Sequence, residues 1–221
     1  KVIGKGSSTA ISLECGLTPA VNSVGLPTAA GARPVLISAG NGINLGSGNT
    51  LRGFNIGNSQ NKLVGFGFGT LTINNMALVG TGKAVDLSMG TTSATFDSIN
   101  SSGSVSEGID LSDVSGSFTV AGLTNIDNPT AIGVNIQNSN LIYNFADITV
   151  NNRNSAGVFI NANTGGVQNG TFGNVLINNQ NGSNTTAFGI DNTVTGGSTI
   201  TVNSLTVNNN AASGSAIALS N

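Results

Sequence analysis

The chain has 221 residues, 38% of them hydrophobic and 7% charged, with seven Lys and Arg against nine Asp and Glu and a net charge of −2. That length allows one domain with a sizeable core. So sparse a charge gives no basic footprint for nucleic acid and no polybasic patch for anionic lipid.

His is absent and Cys15 stands alone, so neither a disulfide framework nor a thiolate metal cluster can be built, and the commonest acid–base group is missing. Gly supplies 32 residues and Asn 33, while the apolar residues are mostly Val, Ile, Leu and Phe. The second set favours strands and the first favours bends. The balance is an all-β chain with many tight corners. No apolar run approaches the roughly 18 residues that a membrane-spanning helix needs.

Residues 1–42 read as an entry region. The start at Lys1, without Met or a signal-peptide pattern, fits a processed chain or a piece of a longer one. Ile11–Ser12–Leu13 and Val35–Leu36–Ile37 alternate like strands, and Cys15 suits a small packed side chain beneath them. Pro19, Pro27 and Pro34 lack the ladder donor, so the stretch they mark is expected to be a loop on the flank.

From residue 43 onward one pattern recurs: apolar, two small or polar residues, apolar, any, apolar, any, then often Asn. Its leading residues are Leu51, Ile73, Phe96, Val120, Phe145, Phe172 and Val202, spaced 22 to 30 residues apart. That period suits one turn of a solenoid. A second set of apolar–x–apolar strands runs in phase, starting at Ile43, Phe66, Val85, Ile109, Val134, Val158, Ile190 and Ile217. The first and third residues of each face inward and the middle one faces out.

The two-residue corners are rich in Gly, Asn, Asp, Ser and Ala, which tolerate left-handed dihedrals. A trailing column, Asn58, Gly80, Gly103, Asp127, Asn152, Asn179 and Asn209, suggests side chains bonded from turn to turn as an amide ladder. The fold expected is a right-handed, single-stranded parallel β-helix over 43–221, with seven to eight rungs of three short strands each. The segment 180–189 is expected to be a lateral loop.

Several blocks resemble known repeat families. L-T-V-N-N-N-A-A-S-G-S-A-I-A-L (205–219) and I-T-V-N-N-R-N-S-A-G-V-F-I (148–160) are similar to the F-x-x-N and G-G-A-[ILV] repeats of chlamydial polymorphic membrane proteins. G-N-T-L-R-G-F-N-I-G-N (48–58) resembles segments of large repetitive bacterial exoproteins and autotransporter passengers. The resemblance covers about residues 35–221 and implies a bacterial chain that is secreted or displayed on the cell surface, often as an adhesin.

Chemistry has few residues to work with. Polysaccharide hydrolysis or lysis, which other β-helices perform, needs paired carboxyl groups or clustered Asp with a base. The seven Asp and two Glu form no such cluster in sequence, Trp is absent and Tyr143 is single. Asp86 and Asp110 are the one pair expected to meet. They hold the outward position of successive turns, followed in that row by Asn135, Phe159 and Asp191, and about 5 Å of separation would let them recruit a cation such as Ca²⁺. An ice-binding face would need Thr–x–Thr in register on every rung, and here Thr70/Thr72 and Thr199/Thr201 are five turns apart with no repeat of the pair on the rungs between.

The function expected is therefore that of a non-enzymatic extracellular structural or adhesive β-helix, a segment of a larger bacterial surface or secreted protein. The alternatives are a subunit that stacks end to end into a filament and a polysaccharide-binding or polysaccharide-degrading helix. The partners expected are a host-surface or carbohydrate ligand and self-association through the rod's ends or continuation into a longer chain. Nucleic acid and membrane insertion are not expected.

Overall fold

The computed structural model describes residues 2–3, 32–161, 166–180, 186–191, 197–208 and 214–220. In chain order the strands are β1 Val2–Ile3, β2 Val35–Leu36, β3 Ile43–Asn44, β4 Asn49–Arg52, β5 Asn55–Ile56, β6 Asn61–Asn74, β7 Ala77–Leu78, β8 Lys83–Phe96 and β9 Ser98–Ser102. There follow β10 Ile109–Asp127, β11 Val134–Gln137, β12 Asn140–Asn151, β13 Val158–Asn161, β14 Asn169–Asn178, β15 Phe188–Asp191, β16 Thr199–Asn208 and β17 Ile217–Ser220. The described residues contain no helix. Cys15, Glu14, Ile11–Leu13, Pro19, Pro27, residues 181–185 and Asn209 lie outside the described residues.

Every pairing among the described residues is parallel, and each strand away from the two ends bonds to strands one turn before and one turn after it. β10, for example, lies between β8 and β12. The result is a parallel β-solenoid of about six full turns. Short strands at 35–56 and the single strand β17 form partial levels at its two ends, where the sequence suggested seven to eight complete rungs.

Three columns of stacked strands make up the walls. The first runs Ile43, Leu63, Val85, Ile109, Val134, Val158, Phe188, Ile217. The second runs Leu51, Ile73, Ala94, Phe118, Tyr143, Gly170, Ile200. The third runs Leu36, Ile56, Leu78, Ile99, Thr124, Ile148, Val175, Leu205. Long strands such as β10 bend through a corner and serve more than one column.

The first column corrects two sequence assignments. Leu63 stands where Phe66 was placed, and Phe188 where Ile190 was placed. The run from Leu63 to Phe68 has two plausible alternations. Hydrogen-bond register selects the one that buries Leu63 and Phe68 fully and leaves Phe66 76% exposed. In the same way Gly189, not Asp191, shares the outward row of Phe159.

The leading residues Phe96, Val120, Phe145, Phe172 and Val202 do stack in register as expected. Leu51 and Ile73 match each other but continue into Ala94. The early corners contain left-handed Gly53 (φ 72) and Asn75 (φ 58), which take up extra chain. A bulge between Val120 and Leu123 adds one residue more and flips the alternation beyond it. Leu123, expected inside, is 49% exposed, and Thr124 is buried in its place.

Left-handed residues also stack at the corner after the third column: Gly82, Gly103, Asn128, Asn152 and Asn179. Asn128 stands where Asp127 was expected, shifted by the same bulge. Gly82 has no substitute here, because a Cβ would lie 1.7 Å from the Ser59 carbonyl oxygen.

The core is an aromatic stack running along the axis. Phe96 and Phe118 have ring centroids 5.4 Å apart, Phe118 and Phe145 5.7 Å, and Phe145 lies nearly parallel to Phe172 at 5.5 Å. Each such ring contributes roughly 2–3 kcal/mol by burial and each good pair about 1 kcal/mol more.

Tyr143 joins this stack, 5.4 Å from Phe172. Its hydroxyl is buried without a hydrogen-bond partner among the described residues, and burial pushes the phenol's pKa up. Gly170, one turn on, leaves room for the ring, since a Cβ there would sit 1.8 Å from it. Tyr143→Phe, which removes an unsatisfied hydroxyl, should therefore hold or raise the melting temperature, by up to about 1 kcal/mol of stability. Gly170→Ala should lower it, and thermal melts of the two variants check both directions.

Candidate functional site

The first column brings Asp86 of β8 and Asp110 of β10 into direct register, as the sequence suggested. A cation lies between them, and it is a side chain of the protein. Lys83, only 4% exposed, places its Nζ 3.1 Å from Asp86 Oδ1, 3.1 Å from Glu107 Oε2 and 3.7 Å from Asp110 Oδ2. Asn135 Nδ2 donates to Asp110 Oδ1 at 2.9 Å, and the Ser112 hydroxyl donates to the same oxygen at 3.1 Å.

Burial alone would push the Lys83 ammonium down. Asp86 and Asp110 beside it, with the hydrogen bonds to Asp86 and Glu107, outweigh that and hold it above its ordinary value of 10.5. For Glu107, burial pushes up, but its backbone hydrogen bond and Lys83 bring it below 4.5. One ammonium thus holds three carboxylates. A Ca²⁺ ion at this point would have to displace Lys83 and gather six to eight oxygens. Among the described residues no group of three or more His, Cys, Asp and Glu is disposed to hold a metal.

Lys83 and Glu107 were missed in sequence, although the signal was present. They stand 24 residues apart, the same spacing as Asp86 and Asp110, so one turn places both pairs together. In a chain this poor in charge, two matched pairs at one period mark a cluster.

A second lysine is fully buried. Lys62 Nζ donates to the carbonyls of Thr81 (2.8 Å) and Gly82 (3.1 Å) and to the Ser101 hydroxyl (2.8 Å), which itself donates to Gly82. All of these partners are neutral, and burial pushes its pKa down to about 8. The Thr81 and Gly82 backbone that it braces lines a groove of about 500 Å³, together with Ser38, Asn58, Gln60 and Val105. No titratable side chain lines that groove.

The outside of the rod carries two long ordered faces. Over the third column Asn208 donates to Asn178, Asn178 to Asn151, Asn151 to Asn125 and Asn125 to Asn100, at 2.8 to 3.4 Å. Parallel to it run Asn179–Asn152–Asp127 and Ser204–Asn174–Asp147. Of the amide ladder expected along the trailing column, the run Asp127–Asn152–Asn179 is present; the longer ladder lies beside it, on Asn100, Asn125, Asn151, Asn178 and Asn208, which the sequence reading did not single out.

The second column shows a different face. Its outward positions form rows in register: Thr70, Thr91, Ser115, Asn140; then Thr50, Thr72, Ser93, Ser117, Ile142, Asn169, Thr199; then Thr95, Thr119, Asn144, Thr171, Thr201. These rows carry no charged side chain, and Arg52, paired with Asn74, stands at the edge of the face two residues beyond Thr50. The interruptions of register between Phe66 and Gly69 and between Val120 and Leu123 fall on either side of them, so the face itself has no bulge. Thr91 and Ser115 hydroxyls bond at 2.8 Å. The hydroxyls of Thr72, Ser93, Thr95, Ser117, Thr119 and Thr171 make no hydrogen bond among the described residues.

Fold and faces together define a parallel β-solenoid repeat protein. No protein-family model, characterised protein or solved structure matches this chain.

The Lys83 cluster sets a pH window. A raised Lys83 stabilises the fold below pH 10.5 and loses that contribution above it; a lowered Glu107 stabilises above pH 4.5 and loses it as pH falls further. Lys83→Met should cost up to roughly 3 kcal/mol at pH 7 by leaving the carboxylates uncompensated, and the gap from the parent should narrow as pH falls below 4.5 and Glu107 takes up its proton. Lys62 acts in the opposite sense. The unfolded lysine keeps its proton to about 10.5 and the folded one releases it near 8, so the parent should gain stability over Lys62→Met as pH rises across that window. Denaturant titrations at pH 4, 7 and 9.5 read both.

Proposed function

We propose that this chain is a non-enzymatic extracellular structural and adhesive β-solenoid, a segment of a larger bacterial surface or secreted protein that works by presenting surface. The observation that carries this reading is the uncharged, bulge-free hydroxyl face along the second column, whose side chains are directed outward and left available to a ligand. Rigid backing supports the same reading, because the inward side of that wall is the aromatic stack of Phe96, Phe118, Tyr143 and Phe172. A wall built this way can hold many weak contacts in fixed relative positions, and preorganised contacts add with little ordering cost. The resemblance to autotransporter passengers and chlamydial polymorphic membrane proteins points the same way.

A second reading, end-to-end association into a filament, draws on the edge formed by β16 and β17. There Ile217 is 53% exposed and Leu219 73% exposed. Such an edge suits a further rung of the same chain or a second copy.

Incubation with plant and bacterial polysaccharides should release neither reducing nor unsaturated ends, while the chain should be retained on solid matrices in a depletion assay. Appearance of new sugar ends would overturn the non-enzymatic reading. Sedimentation as a polymer that dissociates on Leu219→Lys would favour the filament.

A further inference from the structure

We infer that the hydroxyl face of the second column binds the ordered water lattice of an ice crystal. The inference rests on the adhesive reading above and names the ligand of that surface.

Four properties of the face select such a ligand. It is neutral, with no Lys, Arg, Asp or Glu in the rows from Thr70 to Thr201, so its partner in charge is an uncharged surface. It is periodic in two directions: parallel strands repeat at about 4.8 Å across the rungs, and alternate residues at about 6.6 Å along each strand. A net of that scale is comparable with the oxygen repeats on planes of hexagonal ice, and an extended crystal face alone can meet many of its points at once.

The third property is available bonding capacity. A hydroxyl offers one donor and two acceptors, which suits water oxygens presented in either orientation. The hydroxyls of Thr72, Ser93, Thr95, Ser117, Thr119 and Thr171 have no partner among the described residues. The amides of Asn100, Asn125, Asn151, Asn178 and Asn208 on the neighbouring face bond to one another instead. The fourth property is stiffness. A β-branched Thr on a paired strand has few rotamers to lose, and its methyl group adds an apolar shelf beside each hydroxyl.

A crystalline sugar would be expected to meet aromatic platforms, and none of the outward positions in these rows is aromatic. The hydroxyl rows are interrupted on two successive turns, at β12 and at Asn169 of β14. β12 places Asn140, Ile142 and Asn144 in the three rows, with Ile142 63% exposed.

A Thr–x–Thr pattern alone does not reveal this face. The intervening rungs carry Thr91–x–Ser93–x–Thr95 and Ser115–x–Ser117–x–Thr119, and their phase against Thr70–x–Thr72 depends on the extra residue between Phe66 and Gly69.

The test is incorporation of the fluorescently labelled full chain into a slowly growing ice hemisphere, together with thermal hysteresis. The parent should enter the ice. Ser117→Tyr, an outward change that leaves the core intact and the melting temperature near the parent's, should be excluded from it. Asn125→Tyr, on the amide-ladder face, should enter like the parent, and Ile142→Thr should enter at lower protein concentration. Exclusion of the folded parent overturns the ice assignment, and equal entry of Ser117→Tyr overturns the assignment to this face. Parallel sedimentation with crystalline cellulose and chitin separates the two levels of the argument. Binding there, with exclusion from ice, keeps an adhesive rod with a different solid ligand; binding to neither solid nor ice removes the adhesive reading as well.

Discussion

Parallel pairing at about 4.8 Å makes the residue one turn away the nearest neighbour of almost every side chain in this rod. Interactions are therefore between like positions on successive turns, whatever their separation in sequence. Phe145 rests on Phe172 with rings nearly parallel, and Asn178 bonds to Asn151 below and Asn208 above. The left-handed residues follow the same rule, since a corner at one level obliges the corner at the next. Core, corners and surface are all one-dimensional stacks, which is why the chain can vary its flank loops without disturbing the walls.

Stacking also decides what charge can do. Asp86 and Asp110 would repel each other at strand spacing, and Lys83 turns that repulsion into a three-carboxylate contact with one buried ammonium. The cluster reads as a device that keeps two successive turns in register at the start of β8, where a slip would leave charges uncompensated. Lys62 solves a different problem. It fills the interior near a bend with backbone carbonyls as its partners, so the same residue type is pushed down at one place and up at the other. Neutral carbonyls cannot repay desolvation as carboxylates do.

Two walls of the rod use polar side chains in contrasting ways. Amides are long enough to span the gap between turns and so bond to each other, which stiffens the wall and leaves it little bonding capacity to spare. Hydroxyls on Thr and Ser are shorter. Apart from Thr91 and Ser115, those central to the second column reach outward without reaching one another. Side-chain length alone thus divides the surface into a self-satisfied face and an available one, and the available face is the one backed by the aromatic core.

Much of this was determined by the sequence itself. Recurring strands 22 to 30 residues apart, Phe and β-branched residues at the inward positions, Asn at the trailing corner and almost no charge left a parallel solenoid as the consistent solution. The pairing of Asp86 with Asp110 and the column from Phe96 to Val202 were legible because no bulge separates those residues from their partners. Register elsewhere was settled only by tertiary structure. One extra residue after Val120 inverts a period-two pattern, so Leu123 faces out and Thr124 faces in, while turn-to-turn pairing puts Leu63 and Phe188 in the first column, so that Phe66 faces out and Gly189 replaces Asp191. A bulge costs little locally and has no sequence signature beyond Gly and small residues, yet it resets every alternation after it. That is why the hydroxyl rows and the ammonium between the carboxylates emerged only once each turn had been laid on the next.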